Sequence, residues 1–540
     1  MKSLKTYFSN FWLRKDLNLK NHIKTIVSYV LPIVVIHFAL YKMLIRISTL
    51  PSESYYNSSI GFELLKQTAK NIYLIIPVVI GIVIFRKKLG TTWSSFEKGN
   101  ILRSVIFITA LILAWYYGTY NYNFYFDQSH AFDRVLLFLL AFTIYYRPIF
   151  VIPYLLLLLS IMLQFATFPN ITFGISPFLL VKTLILFLAF AIYKLIFKRF
   201  EISVFVFLFY CLVGAHYFAA GFGKLNTEWI LNDHISYMMA ATYANGWISF
   251  YDETTVSGII GFLDKFNAPL RAFTLFVECG VLFFFIHRKF IRLVLICAII
   301  MHLGIFVYTG IFFWMWILLH LTALFFLFRK DSRMDAIFNK YYFILGFIII
   351  GLGRYWASAG ALSWNDAPLS YSYIIKAKTE DGKIHTLPPN FFSSYDYQIT
   401  SSNFKYLSKE ARLPIVWGAT DSEISSYFNI ERSKADILEY ERSKGIMYHN
   451  ESSVEVFVDF ISKYVEHKNK GLDTKMNYLK AFQAPALYWT FPYYSSYDIK
   501  QKIKEVRIEE ITSYYKKSEG YITLRTEEVL HIPINQGNPN

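Results

Sequence analysis

One lysine near the middle of this chain has the setting that acid–base chemistry needs. The apolar run that contains Tyr217 continues through Gly221 to Lys224, and Trp229 follows a few residues later. A lysine that is to accept a proton must be neutral, and the low dielectric at the end of an apolar segment favours the neutral amine. Glycine beside it lets a ligand or a second backbone approach closely. The sequence therefore predicts that Lys224 is a catalytic base.

Further ionisable residues fall inside or beside other apolar segments, where such groups are costly and often functional. His130 precedes one segment, His302 and Glu278 lie within two others, and Lys182 lies in a fourth. Together with Lys224, two imidazoles and a carboxylate suit proton abstraction and the stabilisation of an anion in a dry pocket. Glu278 and Lys182 can instead pair as a structural contact or line a transport pathway.

Structural roles are equally open for these residues from their positions alone. Lys224 can extend its amine to lipid headgroups, and Trp229 can anchor the chain at the membrane surface. His130 can be a surface-loop histidine. His302, like other histidines in the apolar segments, can donate to a carbonyl of a neighbouring helix. Position and chemistry together leave the function undecided.

The composition indicates which kind of structure must hold these residues. Of the 540 residues, 55% are hydrophobic and 19% are aromatic, and the mean hydropathy is +0.36. This is more apolar surface than one soluble core needs. A membrane-spanning helix takes about 20 apolar residues. We therefore predict a polytopic α-helical membrane protein with about 9 to 11 transmembrane helices, from segments near 27–48, 69–86, 102–118, 132–147, 149–168, 175–196, 202–222, 269–286, 290–309, 311–328 and 341–357.

Basic residues mark every second loop between these segments. Lys and Arg cluster before the first segment and after the second, fourth, sixth, eighth and tenth, whereas loops 119–131, 169–174 and 308–311 contain almost none. The positive-inside rule therefore places the N-terminus in the cytoplasm and Lys224 on the opposite side. Because the net charge of +16 lies in the cytoplasmic loops, no basic surface is left for nucleic acid, and no nucleic-acid partner is expected.

The composition changes near residue 358 and divides the chain into three parts. Residues 1–26 are predicted to be a basic interfacial segment. Residues 27–358 form the transmembrane domain, and residues 359–540 form a small β-rich (α+β) domain. This C-terminal domain is expected outside the cytoplasm, provided that the short last segment, which ends at Arg354, crosses the membrane. If that segment does not cross, the domain is cytoplasmic.

Turn residues between alternating stretches predict two hairpins in the C-terminal domain. One turns at Glu380–Lys383 and the other at Lys517–Gly520, each with a glycine in the turn. Val454 to Phe460 also alternates as a strand does. The three cysteines all lie in predicted spans, and neither a disulfide nor a metal site is predicted.

The run from Tyr217 to Trp229, YFAAGFGKLNTEW, resembles a signature of the vitamin K-dependent gamma-carboxylase and its bacterial relatives, the HTTM (horizontally transferred transmembrane) family. His130 with the following Leu136-Leu137 resembles the family's histidine before a membrane helix. Met301-His302, followed by a Thr-Gly-Ile-Phe run, resembles its later histidine segment. Glu278 falls where relatives carry an acid. The resemblance covers roughly residues 27–330.

This resemblance implies a function. Lys224 would deprotonate a reduced naphthoquinone of the vitamin K or menaquinol type, whose reaction with O2 gives an epoxide. The strong base so formed would allow CO2 to be added to a glutamate of a protein substrate. His130 and His302 would shape or polarise the site, and Glu278 would join Tyr217, Gly221 and Trp229 in binding the quinone or substrate.

The resemblance also implies a location, the bacterial cytoplasmic (inner) membrane, with the site on its non-cytoplasmic face. Its partners would be the lipid bilayer, a membrane quinol and an extracytoplasmic protein held by the C-terminal domain. Two alternatives stay open. One is a non-catalytic HTTM-fold component of a secretion or assembly complex. The other is a transporter, for which Lys182 and Glu278 would matter more than Lys224.

Overall fold

The computed structural model of this protein is mainly helical and carries one small antiparallel sheet near its C-terminus. Six of the described helical segments are long and apolar enough to cross a membrane. The structure describes a large part of the chain, namely residues 23–24, 26–70, 92–96, 101–120, 122–167, 178–227, 229–328, 335–360, 364–392, 404–415, 420–471, 482–489 and 501–534, with isolated residues between these ranges.

Helices make up the described part of residues 27–358. In chain order they are α1 Leu31–Ser48, α2 Ile60–Lys70, α3 Ile101–Gly118, α4 Ala131–Tyr146, α5 Val151–Leu163, α6 Phe178–Phe197, α7 Ile202–Leu225, α8 His234–Ala244, α9 Glu253–Asp264, α10 Asn267–Gly280, α11 Arg288–Thr309, α12 Trp314–Phe328, α13 Lys340–Gly351 and α14 Gly353–Trp356. A π-helix at Ile26–Val30 precedes α1, and a 3-10 helix at Val281–Ile286 extends α10.

These helices match the predicted apolar segments closely. Every predicted segment except 69–86 coincides with a helix, and the segment at 69–86 lies largely outside the described residues. The six that meet the length for a span are those of α1, α3, α6, α7, α10 and α11. Helices α4, α5, α12 and α13 are shorter than 18 residues. Membrane crossing by any of these helices stays a prediction.

Helix α7, which carries Lys224, lies at the centre of the helical part. Its side chains from Val204 to Ala215 are all buried, and it packs against α6, α10 and α13. Glycines allow the closest of these contacts. Gly214 of α7 faces Ile350, and Gly353 faces Ala215, each too closely for a Cβ on the glycine. These contacts hold the α13–α14 segment, and the chain that follows it, against α7.

The C-terminal domain is built on a four-stranded antiparallel sheet in the order β2-β1-β3-β4. Its strands are β1 Leu369–Thr379, β2 Ile384–Leu387, β3 Ile503–Lys516 and β4 Gly520–Pro533, and its helices are α15 Ser422–Tyr427, α16 Lys434–Lys444 and α17 Glu451–Asn469. Both predicted hairpins are confirmed. Gly382 and Gly520 have positive φ angles of 83° and 85°, which glycine adopts without steric cost.

The alternating stretch from Val454 to Phe460 is helical, contrary to the strand pattern. It belongs to α17, which begins after Asn450, whose side chain accepts from the Ser453 N–H at 2.9 Å. The buried face of α17 consists of residues spaced three and four apart, namely Phe457, Phe460, Ile461, Tyr464 and Val465. A seven-residue window shows too little of this period to exclude a strand.

A buried charge network joins the sheet to the loops of the C-terminal domain. The Arg412 guanidinium donates to Glu510 of β3 at 2.5 Å and to Glu527 of β4 at 2.7 Å. Lys405 is 5% exposed and donates to two backbone carbonyls at 2.9 and 2.7 Å. Because burial disfavours its ammonium form, the pKa of Lys405 is lowered to about 8.

The turn between β3 and β4 contacts the α8–α9 region of the helical part. Lys517 of this turn pairs with Asp233 at 2.7 Å, and the Tyr521 N–H donates to the hydroxyl of Ser257 at 2.9 Å. Both partners lie between α7 and α10 in the chain, beyond the end of α7 that carries Lys224. The C-terminal domain therefore lies at the Lys224 end.

Residues 482–489, here called the strap, make a second contact with the helical part. The Phe312 N–H donates to the Leu487 carbonyl at 2.8 Å, and the Trp489 N–H donates to the Gly310 carbonyl at 3.0 Å. Gly310 directly follows α11. These contacts agree with the expectation that Lys224, the 308–311 loop and the C-terminal domain share one side. Which side of a membrane this is stays a prediction.

Candidate functional site

Lys224 forms a buried ion pair with Glu278. The lysine Nζ lies 2.8 and 2.9 Å from the two carboxylate oxygens, and the two side chains are only 6% and 4% exposed. Measured along the axis of α10 at 1.5 Å per residue, Glu278 lies about 16 Å from the first residue of that helix. The Lys224 amine is thus directed to a carboxylate inside the protein and is not extended to lipid headgroups.

Gly221 makes this ion pair possible. It lies one turn before Lys224 on α7, directly against α10. A Cβ at this position would lie 2.9 Å from the Cys279 Sγ and 2.9 Å from the Glu278 Cβ. Any side chain would therefore push the two helices apart. Gly221 acts through this backbone approach, which brings the base of one helix to the acid of the other.

Two indoles enclose the lysine amine. The Lys224 Nζ lies 4.9 Å from the ring centroid of Trp229 and 4.4 Å from that of Trp364, within the range of cation–π attraction. The two indoles meet edge to face, with centroids 5.4 Å apart. Trp229 is held in place because its Nε1–H donates to the Arg271 carbonyl at 3.3 Å and its ring stacks on His234 at 4.9 Å.

A second buried polar cluster lies deeper on the same face of α7. Tyr217 precedes Lys224 by two turns, about 10 Å along the helix, and its hydroxyl lies 2.5 Å from the His302 Nε2. The His320 ring lies 5.7 Å from His302 and 5.3 Å from Tyr217. Among the described residues, the Nδ1 of His302 and the Nε2 of His320 have no hydrogen-bond partner. As far as the described residues go, this cluster therefore has two imidazole nitrogens that are open to a polar ligand or a proton.

His130 belongs to a different part of the structure. It precedes α4 with a positive φ of 46°, and its Nε2 is bonded to the Tyr55 carbonyl at 3.0 Å. The nearby Asp133 accepts from the N–H groups of Ile60 and Gly61, both at 2.8 Å, at the start of α2. These contacts join the loop before α4 to the α2 region. The described hydrogen-bond partner of His130 is thus a backbone carbonyl. Both residues lie far in sequence from α7 and α10, which carry Lys224 and Glu278.

Lys182 does not pair with Glu278, which was one of the two alternatives for these residues. Its Nζ donates to the Ser358 carbonyl at 3.0 Å and lies over the rings of Tyr41 at 5.3 Å and Phe178 at 5.6 Å. The carboxylate of Glu278 is already occupied by Lys224. Lys182 is therefore a second buried lysine whose described partners are a carbonyl and two aromatic rings.

The structure thus brings four predicted site residues together, Lys224, Glu278, Gly221 and Trp229, and places Tyr217 with His302 beneath them. Sequence reasoning missed Trp364, which follows the last apolar segment and has no motif that marks it. It also treated His320 only as one more histidine in an apolar segment. The link between His320 and Tyr217 depends on helix packing, which a single sequence does not show.

Comparisons of this chain with protein-family models, with curated proteins and with solved structures found no match. In the described ranges, no three His, Cys, Asp or Glu side chains are grouped so as to hold a metal ion. The case for a function therefore rests on the residues themselves. A buried base paired with an acid, beside flat aromatic faces, can exchange a proton with an apolar ligand that carries a hydroxyl group.

Proposed function

We propose that this protein is an integral membrane enzyme of the gamma-carboxylase-like class, in which Lys224 is the base that deprotonates a membrane quinol. The observation that carries the proposal is the buried Lys224–Glu278 contact of 2.8 Å beneath two indoles. Burial of such an ion pair costs free energy. An apolar contact would hold the two helices together at a lower cost, so the charges favour a functional role. A resting site of this kind already holds the acid and the base that proton transfer needs.

The role of Glu278 follows from its distance to Lys224. Transfer of one proton from the ammonium to the carboxylate yields a neutral amine and a carboxylic acid, both still hydrogen-bonded. The amine then accepts the proton of a substrate hydroxyl, and the ammonium that results lies next to the new substrate oxyanion and stabilises it. Glu278 is thus a positioning residue and proton acceptor for Lys224.

The groups around Lys224 fit a flat, largely apolar ligand. Trp229 and Trp364 offer indole faces, and the free nitrogens of His302 and His320 lie deeper on the same side of α7. A reduced naphthoquinone would supply an acidic hydroxyl and the electrons for the reduction of O2. Addition of CO2 to a glutamate of an extracytoplasmic protein is the further activity that the family resemblance implies, at the bacterial inner membrane.

The test is reconstitution of the purified protein in lipid with a reduced menaquinone-type quinol, O2, labelled bicarbonate and a glutamate-containing peptide. Quinone epoxide and label in the peptide are measured for the wild type, Lys224→Ala and Lys182→Ala. Lys182 is the matched control, because it is also buried in a helix but bonds to a carbonyl. We expect Lys224→Ala to lower epoxide formation by about 10²-fold or more, and Lys182→Ala to retain most of it.

Equal epoxide formation by the wild type and Lys224→Ala would contradict the proposal. Epoxide without label in the peptide would support a quinol oxygenase that lacks carboxylase activity. If no product forms under any condition, the non-catalytic alternative is favoured. The contacts of the strap and of the β3–β4 turn with the helical part are compatible with an assembly component.

A further inference from the structure

Trp364 reaches the Lys224 site from the chain that enters the C-terminal domain. It lies between α14 and β1, outside the helix pair that holds the ion pair. Nevertheless, its ring centroid lies 4.4 Å from the Lys224 Nζ, which is closer than the 4.9 Å of the Trp229 ring centroid. The site is thus built from two parts of the chain, and its second indole is supplied by the segment that enters the C-terminal domain.

The C-terminal domain supports Trp364 from behind. Gly418 has a positive φ of 65°, and a Cβ on it would lie 3.3 Å from the indole, so the backbone packs directly on the ring. Asp366, two residues after Trp364, accepts from the N–H and hydroxyl of Thr420 at 3.0 and 2.6 Å. The indole is therefore held against the Gly418 backbone.

Within the described part of the chain, the buried indole N–H of Trp364 has no hydrogen-bond partner. The side chain is 5% exposed, and its Nε1 has no hydrogen-bond acceptor among the residues that the structure describes. In contrast, the Nε1–H groups of Trp229 and Trp356 donate to backbone carbonyls at 3.3 and 2.8 Å. Buried donors are almost always satisfied, and a donor left open beside a base and an acid is available to an acceptor atom of a ligand.

We propose that Trp364 is a ligand-positioning residue, whose indole N–H donates to an oxygen of the molecule that Lys224 deprotonates. The class of ligand, an aromatic quinol with a second oxygen, rests on the proposed function. In this arrangement, one ligand oxygen faces Lys224 of the helical part. Another ligand oxygen accepts from the Trp364 N–H of the chain that enters the C-terminal domain. Loss of that domain would then weaken ligand binding as well as any recognition of a partner.

Replacement of Trp364 by phenylalanine separates this role from a structural one. Trp364→Phe keeps an aromatic face over Lys224 but removes an N–H that no described group uses. The melting temperature should stay the same or rise, while binding of the ligand weakens by about three- to tenfold, the usual loss for one neutral hydrogen bond. Trp356→Phe is the matched control, because its N–H is bonded to the Ile349 carbonyl. It should lower the melting temperature and leave binding unchanged.

The assay is equilibrium binding of radiolabelled menadiol, kept reduced with dithionite in the absence of O2, to the full-length protein in lipid nanodiscs, together with the melting temperature of each variant. Equal affinities of the wild type and Trp364→Phe would overturn the inference, and so would a wild type that does not bind the probe. The proposed function fails differently: the probe binds and Trp364→Phe weakens it, but no Lys224-dependent product forms from the quinol.

Discussion

The ion pair between Lys224 and Glu278 makes a quantitative prediction about stability. Both side chains are nearly inaccessible, at 6% and 4% exposure, so loss of either partner leaves an uncompensated buried charge. Such a loss costs about 3–5 kcal/mol. We therefore expect Lys224→Met and Glu278→Gln each to lower the free energy of unfolding by about that amount.

The double variant distinguishes this explanation from a simple loss of packing. When both charges are removed together no buried ion is left, so the loss should be much less than the sum of about 6–10 kcal/mol for the two single variants. A coupling free energy of about 3 kcal/mol or more is expected. The measurement is reversible unfolding of the wild type, both single variants and the double variant in one mixed-micelle system.

An exposed pair in the same protein is the control. Lys463 and Asp459 also lie 2.8 Å apart, but they are 41% and 46% exposed, so their coupling should stay below about 1 kcal/mol. If the two buried single variants each lose less than about 1 kcal/mol, or if their losses simply add, the site is open to water. The reasoning about a dry acid–base pair would then be refuted.

Three further predictions test other features of the structure. Gly221→Ala should separate α7 from α10 and lower stability by about 1–3 kcal/mol, whereas Gly258→Ala, with no atom within 4 Å of the new Cβ, should be neutral or slightly stabilising in the same unfolding assay. Lys405 has a pKa of about 8 in the folded protein against 10.5 as the ordinary value. The unfolded state therefore binds more protons between these two pH values, and the free energy of unfolding should rise with pH across this window. Lys405→Met should flatten that rise in denaturant titrations at several pH values, and an unchanged slope would contradict the assignment. Gly310→Ala, at a φ of 71° and with the Trp489 carbonyl 2.6 Å from the new Cβ, should release the strap and speed its proteolysis, whereas Gly351→Ala, which has open space, should leave cleavage at the wild-type rate.

Features that depend on neighbouring residues were well predicted from the sequence. Apolar segments of helical length and turns with Gly382 or Gly520 both depend on local chemistry, and the structure has helices and hairpins at those places. The stretch from Val454 to Phe460 failed for the opposite reason. Its helical face becomes visible only when Tyr464 and the residue after it are included, so the local window was too short.

The candidate site was predictable only in part. Lys224, Gly221 and Trp229 lie within nine residues of one another, and their spacing alone predicts a candidate site. The partner of Glu278 was not decided, because Lys224 is 54 residues away in the chain and Lys182 was an open alternative. Trp364 could not be predicted at all, since its place beside Lys224 depends on how the C-terminal domain docks.

The separation of 54 residues between the lysine and its carboxylate has a consequence for biosynthesis. When α7 leaves the ribosome, Lys224 emerges before its acid has been translated. Its place at the second-to-last residue of α7 leaves the amine near the water interface during this interval. Packing of α10 against α7 then brings Glu278 to the amine and buries both side chains. The ion pair can therefore form only after the whole of α7 and most of α10 have been synthesised.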